Sequence, residues 1–190
     1  MASNDYHFIT HWRVKADRQT VIDLLSDAED LPRWWPSVYL EVRELEPGDE
    51  NGIGRRVSLY TKGWLPYTLR WSFVVSESNP PDGFTIRAEG DFVGRGIWTF
   101  TQDGEYTDIT YDWQIAATKP LLKMLSPLLR PIFAKNHLWA MAQGETSLKL
   151  ELERRAAAPG SAEGVPAPPP PTPNHPIRWL KYVLTKGTGG

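Results

Sequence analysis

The sequence contains no cysteine, which excludes disulfide scaffolds, thiolate metal sites and cysteine nucleophiles together. It has no surplus of positive charge: 21 Lys and Arg against 23 Asp and Glu leave a formal charge of -2. The basic footprint that general nucleic-acid binding needs is therefore missing. No run of about twenty apolar residues is present to cross a membrane as a helix. The start, MASNDYHFITHW, lacks the basic end and apolar core of a secretory signal, so a cytoplasmic protein is the default expectation. No Ser-His-Asp order, nucleophile elbow or phosphate loop occurs. Gly90, Gly94 and Gly96 stand between strand-like runs with no helix after them, and read as a turn or bulge. His7 and His11 lie on a strand-like run, where four residues span roughly 13 Å, too far for one ion. Neither a metal nor a cofactor is implied.

Aromatic side chains are abundant: nine Trp, seven Tyr and six Phe among 190 residues. They are large, rigid groups to bury or to line a cavity with. The length is that of one domain with room for a tail.

Period-two alternation predicts a first strand at Tyr6–Lys15, with Phe8, Thr10, Trp12 and Val14 on its inner face. Asp17 is placed to cap a short helix carrying Val21, Leu24, Leu25 and Ala28 at helical spacing. Ser26 and Glu29 form a capping-box pattern for a second short helix. Six further strands are expected at Val38–Glu46, Gly54–Thr61, Tyr67–Ser76, Gly83–Gly90, Gly94–Thr101 and Thr107–Ala117. Turn chemistry separates them: Pro47-Gly48, Asn51-Gly52, Asn79 to Gly83, and Asp103-Gly104. Short connections between consecutive strands make an antiparallel meander. Inward faces are Leu69, Trp71, Phe73 and Val75 on one strand, and Ile109, Tyr111, Trp113 and Ile115 on another. Asp112 and Glu89 read as outward and solvated.

Lys119 to Arg155 is the only segment long enough for a major helix. Thr118-Lys119-Pro120 and Ser126-Pro127 are cap-then-proline starts, and Pro131 is expected to kink or restart the helix. From Ile132 to Leu152, Phe133, His137, Ala140, Met141, Gly144 and Leu148 share one arc, opposite Lys135, Glu145 and Lys149. Beyond Arg155 a Pro-rich linker, 156–176, leads to a short amphipathic tail, 177–190, for which disorder is one expectation. Beyond Arg155 the charged residues are Arg178, Lys181 and Lys186 against Glu163. A membrane contact, a lid and a partner helix are open readings of Ile177–Leu184, beside simple docking on its own domain.

The pattern is α+β: one strand, two short helices, about six antiparallel strands, and a long C-terminal helix for a curved sheet to wrap. RWWPSV (Arg33–Val38), GIGRRVSLYTKG (Gly52–Gly63), GDFVGRGIWTF (Gly90–Phe100) and KNHLWAMAQGETSLKLEL (Lys135–Leu152) carry a resemblance to the SRPBCC or START-like superfamily. Its fold is the helix grip of the birch-pollen-allergen type. More narrowly, the chain resembles the polyketide cyclase/dehydrase and lipid-transport branch, over residues 5–155. The resemblance implies a deep, mostly apolar cavity between sheet and helix. Members of the superfamily bind or convert sterols, polyketides, phospholipids and plant hormones, so the fold alone names no function.

Candidate ligand-binding residues are Trp12, Trp71, Trp98, Tyr111 and Trp113 on the sheet, with Phe133, Asn136, Ala140, Met141 and Gly144 on the helix. Singly, each aromatic is more simply core filler. Together, indoles with N–H groups suit a pocket that is apolar but not dry. Ala140 and Gly144 either permit close approach or leave room for a ligand. His137 is the candidate acid/base or ligand contact, and equally reads as a hydrogen-bonded core histidine. Three functions stand open: a carrier or binder of a hydrophobic or aromatic molecule, lipid-like or polyketide-like; a polyketide cyclase, aromatase or dehydratase using His137; and an adaptor acting through Pro168–Pro171. The first two require a cavity of roughly 300 Å³.

Overall fold

A computed structural model describes residues 5–118, 120–157 and 161–186. The alternating runs form seven strands: β1 (Asp5–Val14), β2 (Tyr39–Glu46), β3 (Arg56–Lys62), β4 (Thr68–Asn79), β5 (Gly83–Gly90), β6 (Phe92–Asp103) and β7 (Tyr106–Ala117). They make one antiparallel sheet in the order β1-β7-β6-β5-β4-β3-β2. The meander is closed at one edge by β1 returning beside β7. β6 and β7 are longer than their alternation announces, because a two-residue turn at Gly104-Glu105 pairs Asp103 directly with Tyr106. Gly104 adopts φ +59° there, as the first position of a glycine-led hairpin turn requires.

Between β1 and β2 the chain forms α1 (Arg18–Ser26), a 3-10 turn (Ala28–Asp30) and α2 (Leu31–Trp34). Asp17 caps α1, accepting from Thr20 N at 2.9 Å and Thr20 Oγ1 at 2.7 Å. The expected Ser26–Glu29 capping box does not form. Asp27 precedes the 3-10 turn without a side-chain cap bond, and the Glu29 carboxylate instead accepts from Glu44 N at 3.1 Å. That bond ties the short helices to β2. Val21, Leu24 and Trp34 are fully buried here.

The long helix, α3, spans Pro120–Ala156. Of its expected start, Lys119 lies outside the described residues, as do the side chains around Ser126-Pro127. The helix does not restart at Pro131: one lost N–H is absorbed by a helix of 37 residues. Its inner face in the C-terminal half includes Met141, Gly144, Ser147, Leu148, Glu151 and Leu152, all buried. Lys135 and Lys149 are exposed. Ser147 and Glu151 join this face beyond the apolar arc. Glu151 is tolerated because three guanidinium groups meet it: Arg33 at 2.6 and 2.9 Å, Arg154 at 2.8 Å and Arg155 at 2.9 Å. Burial pushes the Glu151 carboxyl up, but those hydrogen bonds outweigh it and hold it at about 2.

After α3, a 3-10 turn (Ala162–Gly164) and a last helix, α4 (Pro176–Lys186), follow. Thr172 between them is buried, its hydroxyl donating to the carbonyls of Gly63 and Trp64 at 3.3 and 3.2 Å. Among the described residues, no helix is long and apolar enough to cross a membrane.

Candidate functional site

The concave face of the sheet and the middle of α3 enclose a cavity of about 140 Å³. Strand alternation supplies its sheet wall. Leu69 and Trp71 project from β4, and Tyr111, Trp113 and Ile115 from β7. One helical turn separates Phe133 from His137, and another reaches Ala140 and Met141, so all four present to the same volume. β1 adds Tyr6 and Phe8, the segment after α2 adds Trp35 and Val38, and β2 adds Tyr39.

Trp71, Tyr111, Trp113, Phe133, Asn136, His137, Ala140 and Met141, expected from the sequence, thus lie around one cavity. Trp12, Trp98 and Gly144 do not border it. Trp12 packs in the core between Trp35 and Trp98, with ring centroids 5.5 and 5.6 Å away. Trp98 stacks on Tyr111 at 4.0 Å and serves as the layer behind the wall. Gly144 leaves no room for a ligand: an added Cβ would lie 2.6 Å from Trp35 Cε2, so the indole already fills the space.

The volume is less than half of the roughly 300 Å³ expected for the binding and enzyme readings, so that expectation fails in this form and both readings are confined to a one-ring ligand or to a wall that moves. It is close to the about 150 Å³ that holds a benzene ring. A longer ligand requires the wall to move.

His137 is stacked face to face on Phe8, centroids 4.2 Å apart. Its Nε2 is buried and, among the described residues, has no hydrogen-bond partner. Burial pushes the imidazole down to about 4, so the ring is neutral near pH 7. Trp35 Nε1 is likewise buried without a partner among the described residues. Asn136 is already engaged on one side: its Oδ1 accepts from Leu65 N at 2.9 Å, which leaves its NH₂ for a ligand. Trp71 donates its indole N–H to Thr61 Oγ1 at 3.0 Å. Burial raises the phenols of Tyr39 and Tyr111, and pushes Tyr67 up to about 12, so all three remain protonated hydroxyls.

Several bordering residues escaped sequence reasoning: Trp35, Tyr39, Thr61 and Tyr67 among them. RWWPSV marked the neighbourhood of the first two, but nothing in its spacing aims a side chain. Lys62 is the less expected find. It borders the volume yet alternates with inward-facing Thr61, and its buried ammonium donates to the carbonyl of Thr172. Burial lowers it to about 8. His7 and His11 make cross-strand pairs on the outer face, with Asp112 at 2.9 Å and Thr110 at 3.2 Å.

A seven-stranded antiparallel sheet curved around a long C-terminal helix, with two short helices after the first strand, defines a protein of the helix-grip fold. Residues 8–153 match the family described as polyketide cyclase / dehydrase and lipid transport, and the chain belongs to it. Solved structures agree in fold. The Zhui aromatase/cyclase from Streptomyces sp. R1128 is 18% identical with a TM-score of 0.66, covering 82% of this chain and 98% of its own. A START superfamily protein from Mycobacterium smegmatis is 16% identical, TM-score 0.61, covering 79% and 99%. A STAR-related lipid transfer protein from Xanthomonas axonopodis is 19% identical, TM-score 0.52, covering 80% and 88%. No curated protein matches the sequence.

Proposed function

We propose that the protein binds a hydrophobic or aromatic small molecule between the sheet and α3. The apolar part would lie against Phe8, Trp71, Trp113 and Phe133, and the polar end would meet His137 Nε2 and the NH₂ of Asn136. The observation that carries this reading is an apolar, aromatic-walled cavity containing a buried imidazole nitrogen with no partner among the described residues. Such a nitrogen costs free energy until something hydrogen-bonds it. A ligand hydroxyl or amide, which can both donate and accept, supplies the missing partner in either tautomer. Membership of a family whose description joins polyketide cyclases with lipid transport supports the ligand class.

An enzyme of the cyclase, aromatase or dehydratase type is the second reading, resting on the same nitrogen. General base catalysis works best when the base titrates near the working pH. An imidazole held at about 4 is a weak proton acceptor near pH 7, which favours a binding role over proton abstraction.

Native mass spectrometry of protein purified without added ligand tests the proposal, with tryptophan quenching by indole, naphthalene and a long-chain alcohol beside it. Retention of an apolar molecule, or saturable binding that His137→Ala weakens about tenfold, one hydrogen bond to a buried group, is the expected result. Absence of both refutes the binding reading. Normal ligand binding by His137→Ala with loss of a chemical conversion transfers the case to the enzyme.

A further inference from the structure

The C-terminal helix presents apolar side chains on two arcs. Trp179, Tyr182 and Val183 are partly buried and form the docked side. The Trp179 indole donates to the carbonyl of Trp64 at 2.7 Å, and the two rings meet edge to face at 5.1 Å. Ile177, Leu180 and Leu184 face the other way, 64%, 52% and 63% exposed. Their spacing of three and four residues makes one continuous row along the helix. Lys181 and Arg178, both exposed, follow beside that row on the helical wheel. No acidic residue occurs from Val165 to the end of the sequence, whereas the remainder carries 18 Lys and Arg against 23 Asp and Glu. The helix is thus a local cation on an otherwise acidic chain.

A row of exposed aliphatic groups bordered by cations, without acids, matches an anionic bilayer surface in both respects. Its aliphatic groups enter the acyl boundary while its cations remain among the headgroups. An acidic protein groove would match the charge but gives no reason for Ile177, Leu180 and Leu184 to be left in water. We infer that α4 is a peripheral membrane-binding helix, and that its partner is a phospholipid surface carrying net negative charge.

The inner arc says where such contact would put the domain. α4 and Thr172 hold the loop Gly63–Pro66 from outside, through Trp64 and Gly63. On the inner side Asn136 holds the same loop through Leu65, beside His137. A bilayer under α4 therefore lies next to the loop that forms one wall of the cavity. The membrane contact itself stands whatever the cavity binds.

Co-sedimentation of the full chain with vesicles tests it, using phosphatidylcholine alone or mixed with phosphatidylglycerol, at low and physiological ionic strength. Binding is expected only with the anionic vesicles and is expected to weaken with salt, because the charges are exposed. Ile177→Glu/Leu180→Glu, at exposed positions and checked for unchanged thermal unfolding, should reduce vesicle affinity at least about tenfold. Arg178→Glu/Lys181→Glu should abolish the preference for anionic lipid. Three outcomes overturn the inference: no binding to anionic vesicles at low salt, equal binding by the Ile177/Leu180 variant, or a dimer that this variant dissolves, which would assign the face to a second copy. A co-purified ligand with no vesicle binding would leave the cavity reading intact and remove this one.

Discussion

Gly144→Ala separates a packing role from a ligand-binding one at the position where the two readings differ most. The added Cβ would stand 2.6 Å from Trp35 Cε2, about 1 Å inside the closest comfortable carbon–carbon separation. Trp35 has little freedom to yield, with ring neighbours Trp12 at 5.5 Å, Trp34 at 5.8 Å and Tyr39 at 5.1 Å. Overpacking costs about 1–3 kcal/mol, and the upper part of that range, about 2–3 kcal/mol, applies to a ring hemmed in on three sides. Replacing a helical glycine by alanine returns nearly 1 kcal/mol, so the net loss is roughly 1–2 kcal/mol. For a domain of this size that lowers the melting temperature by about 2–8 °C. Calorimetry or urea unfolding reads it directly. The control is the same substitution in a Trp35→Leu background, where the clash is gone and the propensity gain should appear as stabilisation. An unchanged or raised melting temperature for Gly144→Ala alone would refute the claim that the indole fills this site.

Two further perturbations follow from buried titratable groups. Glu151→Gln keeps the shape but removes the charge that three arginines converge on. The cost is expected at about 1–3 kcal/mol, below the 3–5 kcal/mol of a fully buried pair, because the arginines also reach water. Since its folded pKa is held at about 2, the contribution is complete above the unfolded value and disappears as pH falls from 4.5 toward 2. A urea midpoint for Glu151→Gln matching that of the parent at pH 7 would contradict this. His137, pushed down to about 4 from 6.5, acts with the same slope for the opposite reason. Between those values the unfolded chain binds a proton that the native one refuses, so stability is lost as pH drops, by about 2 kcal/mol at pH 5. His137→Phe should flatten that limb between pH 7 and 5, and an unaltered limb would mean that His137 is solvated.

The strands and the inner face of α3 were readable because alternation and helical periodicity report directly on which side of an element meets the core. Val57, Leu59, Ile109, Tyr111 and Trp113 obey that rule, and so do Met141 and Leu148. Position along the face is different information. Trp12 and Trp98 share the inward side with Trp71 and Trp113, yet only the pairings Trp12 with Ile109 and Trp98 with Tyr111 show that they lie on the packed side of the stack. Register is a long-range property, and periodicity within one strand does not contain it. Gly144 misleads for a related reason: a missing side chain looks like vacancy until a residue remote in sequence, here Trp35, is known to occupy it.

The rings also explain why the cavity lies where it does. Trp12, Trp98, Tyr111, Trp113 and Trp71 form a continuous series, with successive centroids 5.6, 4.0, 5.5 and 5.7 Å apart. Rings in contact on four strands, β1, β6, β7 and β4, leave one another little rotamer freedom, so this wall is stiff and the space beyond it persists. The opposite boundary is built differently. Gly63–Pro66 is a loop held inside by the bond from Leu65 to Asn136, and outside by the bonds from Thr172 and Trp179 to the Gly63 and Trp64 carbonyls and the edge-to-face contact of Trp64 with Trp179. Opening that boundary breaks few bonds, each worth about 1 kcal/mol net, whereas opening the stack would unpack the core. A ligand larger than one ring should therefore enter past the loop, and residues at the loop, more than the tryptophans, should set how fast it does so.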